Sequence, residues 1–156
     1  MKKLLLLATL FFIISCQENE KTQTIKIKNQ YSLDLPESLS LATNLNTEAS
    51  LQYQNVFGDL YVIVIDESKQ EINSYMEDNT DFPPNLNGYT QLLKSGLQTS
   101  VTNPIFSETE KKQINGLKSH QISLSGKVDD YEIYYEFAHV ERKNHYYQVF
   151  VWTSLE

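Results

Sequence analysis

The chain of 156 residues has one cysteine, one tryptophan, five glycines and four prolines. A single thiol cannot close an internal disulfide, and it cannot supply the paired ligands of a cysteine metal site. Arginine occurs once, at Arg142, and Asp and Glu outnumber Lys and Arg by 20 to 13. A protein that grips nucleic acid needs a basic face for the phosphates, so this balance argues against a nucleic-acid partner. Histidine occurs three times, at His120, His139 and His145, and none stands in a metal-binding spacing such as H-E-x-x-H. No G-x-S-x-G elbow and no phosphate loop is present, so no nucleophile is proposed by motif and no cofactor or metal is expected.

Hydrophobic residues are unevenly spread. Lys2 and Lys3 precede an apolar run from Leu4 to Ile14, and Ser15 follows. A run of eleven residues, interrupted only by Thr9, is too short to span a bilayer, which takes about 20. Their order, charged then greasy then small, is that of a secretory signal. The stretch "IISC" resembles the bacterial lipobox, in which a cysteine takes a diacylglycerol on its sulfur before cleavage. The resemblance implies removal of residues 1–15 and lipidation of Cys16. The lipobox usually has Leu three residues before the cysteine, and here Ile13 stands there. Two or three acyl chains hold a protein on a membrane firmly where one does not. Loss of Lys2 and Lys3 takes the formal charge from −7 to −9, so the lipid and not a basic patch would be the anchor.

Residues 16–23 are expected to form the lipidated N-terminus and a polar tether. The "CQENE" start is similar to the acidic signal that sends some lipoproteins to the outer face of the outer membrane. Only Glu18 and Glu20 carry it, so both an outer-membrane anchor facing the periplasm and one facing the cell surface stay open.

From residue 24 to 156 the apolar period predicts one α+β domain. "TIKIKNQ" and "YSLDLP" alternate as strands, and Pro36 stops the second. "ASLQYQN" and "LYVIVID" flank a turn at Gly58 and Asp59. Leu60 to Ile65 is apolar on both faces and reads as a central strand. Residues 69–78 predict a short helix, and Tyr89, Leu92, Leu93, Leu97 and Val101 stripe a second one after Pro83 and Pro84. Beyond Pro104 a four-strand meander is expected, with Asn115 and Gly116 as a hairpin turn. The resulting fold class is an antiparallel β-sheet flanked by helices.

The opening "YSLDLPESL", the strand "DLYVIVIDES" with its following helix, and the closing "HYYQVFVWTS" resemble the PsbP-like fold. That fold is shared by the PsbP subunit of photosystem II, a Ran-binding protein and several bacterial lipoproteins. The resemblance implies no catalytic motif and a role in binding partners. It also implies a helix after the last strand, so either the chain continues past Glu156 or this member lacks that helix.

Aromatic residues crowd the last two strands. Alternation puts Tyr131, Ile133, Tyr135 and Phe137 on one face of the first. The second set, Tyr134, Tyr146 and Trp152, is the candidate binding platform for an envelope protein or glycan. His139 and His145 flank one turn and could approach each other. The acidic group Asp129, Asp130, Glu132 and Glu136, with Glu132 and Glu136 on one face, and the group Glu77, Asp78 and Asp81 before the double proline are the paired carboxylates a hydrolase would need. A membrane-tethered, non-catalytic interaction module is therefore the leading expectation. A carrier of a small apolar ligand, which would need a cavity between sheet and helix, and an envelope hydrolase are the alternatives.

Overall fold

The computed structural model describes residues 20–27 and 30–155. The expected leader, Cys16 and Glu18 lie outside the described residues. Ten strands and two helices follow in the order β1 (Thr22–Ile27), β2 (Tyr31–Pro36), β3 (Ser40–Leu41), β4 (Leu51–Asn55), β5 (Leu60–Ser68), α1 (Lys69–Asn79), α2 (Leu86–Ser100), β6 (Thr102–Phe106), β7 (Glu110–Ile114), β8 (Leu117–Val128), β9 (Tyr131–Glu141) and β10 (His145–Leu155). The first strand starts inside the stretch read as tether.

Eight strands form one antiparallel sheet in the order β3-β4-β5-β10-β9-β8-β6, with β7 also pairing β8. β1 and β2 form a separate hairpin. The fold is α+β, with the helices on one face of the large sheet and the hairpin on the other. Central β5, read as apolar on both faces, buries Val62 and Val64 toward the hairpin and Ile63 on the opposite side.

The expected final meander has one break more than its sequence pattern suggested. The hydroxyl of Ser107 accepts from the Ser123 amide at 3.0 Å, taking a donor that would otherwise extend the ladder. β6 therefore ends at Phe106 and β7 restarts at Glu110. The Asn115–Gly116 turn forms as expected, with φ of 51° and 80°.

Both helices have capped N-termini. Ser68 accepts from the Glu71 amide, and Asn85 accepts from Asn87 and Gly88 at 2.9 and 3.2 Å. Gly88 is required there, because a Cβ would sit 1.8 Å from the Pro83 carbonyl oxygen. That contact folds the double proline back onto the first turn of α2 and aims Tyr89 and Thr90 into the sheet, where both are buried.

The pairing gives the sheet two distinct ends. One carries the β4–β5 turn, the β8–β9 turn and the end of β10. The other carries the β7–β8 and β9–β10 turns and the start of α1. The chain enters at the first end, because Thr22 pairs with Pro36 and Ser40 with Gln54.

Candidate functional site

The cross-strand register decides which aromatic side chains share a face. Tyr135 stands opposite Trp152, and Trp152 opposite Tyr61. Residues directly opposite in an antiparallel pair project to the same side. Tyr61, Trp152 and Tyr135 thus make a row across three adjacent strands on the helix-bearing face. Trp152 stacks on Tyr61 at 5.1 Å and 14° and touches Phe150 at 5.1 Å. Phe150 in turn meets Tyr135 edge-on at 4.8 Å. The four rings are partly exposed.

The predicted platform of Tyr134, Tyr146 and Trp152 does not assemble. Tyr134 pairs with Thr153 and lies on the opposite face, where its hydroxyl donates to Glu136 and that bond raises its pKa. Tyr146 is fully buried, stacked on Tyr89 at 4.4 Å, with its hydroxyl donating to Asn73 at 3.0 Å. Burial and the nearby Glu141 carboxylate push the Tyr146 phenol up to about 12. Of the three, Trp152 alone joins the row.

Below the row the same face is packed by polar groups under the helices. Tyr89 is fully buried and donates to Glu67 at 2.5 Å. The hydroxyl of Thr90 lies 3.0 Å from His120 Nδ1 and 3.1 Å from His139 Nδ1. One hydroxyl has one proton, so Thr90 can donate to at most one of the two rings, and at least one ring donates its Nδ1–H to it. Burial, reinforced by His120, lowers the His139 pKa to about 4. His120 is lowered too, by burial and then by Lys111, against the pull of Glu141.

His139 pairs with His120 and Gln148, not with His145, which sits opposite Ser68 and beside Tyr147 on the hairpin side. The sequence separates His120 and His139 by a whole hairpin, and Thr90 by a helix more. Only the alternation of β8 gave a hint that His120 faces inward.

An open cleft of about 600 Å³ lies beside this cluster, lined by Asn85, Asn87, Lys111, Lys118, His120 and Glu141. Glu141 is ion-paired with Lys69 and lies 4.0 Å from Lys118. Ser119 also lines the cleft, and its buried hydroxyl has no hydrogen-bond partner among the described residues. Among the described residues no group of three or more His, Cys, Asp or Glu could hold a metal. Glu132 pairs with Lys127 at 3.4 Å, and Glu136 takes the Tyr134 hydroxyl. Between sheet and helices, Met76, Leu86, Tyr89 and Tyr146 pack into one buried cluster where a carrier would keep a chamber.

No protein-family model and no curated protein matches the chain. Eighteen solved chains are similar. One is the crystal structure of a Pseudomonas aeruginosa protein of unknown function, 8% identical, with a TM-score of 0.48 over 85% of this chain and 82% of that one. At that identity the likeness assigns no activity.

Proposed function

We propose that this chain is a bacterial envelope lipoprotein with a PsbP-like domain, tethered through Cys16 to the outer membrane and acting as a non-catalytic protein-interaction module. The aromatic row of Tyr61, Trp152, Phe150 and Tyr135 is the observation that carries the reading. Tyrosine and tryptophan dominate the energy of protein interfaces, because each buries a large rigid surface at little entropic cost. Here two tyrosines and a tryptophan, with Phe150 between them, lie side by side on central strands and stay partly exposed. The lipobox-like "IISC" supports the tether, and the helix-and-sheet order supports the PsbP-like assignment.

Site-specific photocrosslinking in living cells tests it. Trp152→p-benzoylphenylalanine is expected to give a discrete adduct with an envelope protein, identified by mass spectrometry. Tyr134→p-benzoylphenylalanine, on the opposite face, is expected to give none. The same adducts from both positions, or none from Trp152, would defeat the assignment of this row.

A further inference from the structure

The β4–β5 turn, Val56 to Asp59, carries the most exposed apolar side chain among the described residues. Phe57 is 104% exposed and Val56 61%. A bare phenylalanine at a loop tip is common enough to mean nothing alone. What surrounds it gives it meaning.

The only charged side chain in the turn points inward. Asp59 adopts φ of 47°, and its carboxylate accepts from the Ser154 amide at 2.7 Å, from Thr153 Oγ1 at 3.2 Å and from the Ser154 hydroxyl. Those bonds, the one to the Ser154 hydroxyl first, hold its pKa below the usual carboxylate value, so it stays ionised while tied to β10. The Gly58 amide is also satisfied internally, donating to Asn55 Oδ1 at 2.9 Å. The apex thus offers Val56 and Phe57 outward, with the ionised Asp59 of the same turn tied back to β10. Along the same end of the sheet, Leu155 is 45% and Tyr131 71% exposed.

The chain enters the domain at this end as well. Glu20 accepts from Ser38 at 2.9 Å, the Lys21 carbonyl accepts from the Glu37 amide, and Gln23 donates to the carbonyls of Pro36 and Leu39. Four residue steps separate Glu20 from Cys16, and a fully extended chain covers at most about 3.5 Å per step, or about 14 Å. A diacylglycerol on Cys16 would hold this end of the sheet close to the lipid surface. Tethering also makes a weak second contact effective, because the tip is always at high local concentration next to the bilayer.

From these placements we infer that Val56 and Phe57 form a membrane-docking tip that seats in the bilayer anchoring Cys16. The inference rests on the lipoprotein reading proposed above. Docking fixes the orientation of the domain, with the aromatic row just above the membrane and the end bearing Lys118, Arg142 and Lys143 pointing away. It also sets a lipid preference. Asp129 and Asp130 stand in the neighbouring β8–β9 turn, so zwitterionic headgroups are favoured over anionic ones.

The test uses the full acylated protein with one indole reporter. In a Trp152→Phe background, Phe57→Trp is reconstituted in phosphatidylethanolamine–phosphatidylcholine vesicles with brominated acyl chains. Its emission is expected to be largely lost to the bromine and shielded from acrylamide. Lys143→Trp in the same background, at the opposite end, is expected to keep its emission and stay open to acrylamide. An unquenched Phe57→Trp reporter on acylated protein overturns the docking tip alone. So does equal quenching at both positions, or shielding that grows with protein concentration without vesicles, which would seat the tip on a second copy. Intact mass lacking the acyl chains overturns the anchor, and the docking tip with it.

Discussion

On the hairpin-covered face of the large sheet the buried cluster is Leu35, Leu39, Leu51, Val62, Val64, Val140 and Tyr147. On the helix-covered face, burial also takes in Thr90, His120, His139 and Gln148, and two tyrosines whose hydroxyls are bound by Glu67 and Asn73. The first set is held mainly by area, each fully buried aliphatic side chain contributing about 1.5–3 kcal/mol, and the buried Ser119 opposite Val140 is the polar exception on that face. The second is held by area and by specific partners, and a buried polar group deprived of its partner costs about 1–3 kcal/mol. One sheet therefore presents a face tolerant of apolar exchange and a face that is not. The aromatic row grows out of the intolerant one.

The sharpest break in that contrast is Tyr146→Ala. It removes a fully buried ring from the Tyr89 stack and leaves Asn73 without its donor, so a loss of about 3–5 kcal/mol is expected in denaturant melts. Tyr134→Ala, whose ring lies on the other face, should stay within about 0.5 kcal/mol. Equal losses would mean that the register placing these tyrosines on opposite faces is wrong.

Next in size is an acid limb that belongs to the helix-covered face alone. His139 titrates near 4 when folded, against an ordinary value of 6.5. Above pH 6.5 both folded and unfolded chains carry the neutral ring, and the stability is complete. Below it the unfolded chain takes up a proton that the folded one refuses, so stability falls as pH drops toward 4. At about 1.4 kcal/mol per pH unit the loss reaches about 3 kcal/mol. His139→Phe should flatten this limb, whereas Val64→Ala should lower stability evenly across the same range. Urea melts from pH 7 to 4 separate the two, and an unchanged slope in His139→Phe would remove the histidine from the explanation.

Much of the fold could be read from residue order. The β4–β5 and β7–β8 turns follow from Gly58 with Asp59 and from Asn115 with Gly116, and both helices follow from their apolar spacing. The face of each aromatic could not, because it depends on how many residues the β9–β10 turn takes. Here Glu141 pairs with Tyr146, so odd-numbered residues of β9 share a face with even-numbered residues of β10. A turn one residue longer or shorter would have put Tyr134 beside Trp152 instead. Period-2 alternation sorts a strand into two sets but does not say which set of the next strand it meets. The Thr90–His120–His139 cluster was hidden for a related reason. Its members come from three elements, and no local spacing joins them.

Both the interaction module and the docking tip depend on the sulfur of Cys16. Metabolic labelling with a clickable fatty acid, followed by membrane fractionation, addresses it directly. Wild-type protein is expected to carry the label and to sediment with the outer membrane, and Cys16→Ser is expected to carry none and to appear either uncleaved or released. Equal labelling of the two, or an unlabelled wild-type protein, would contradict the lipid anchor.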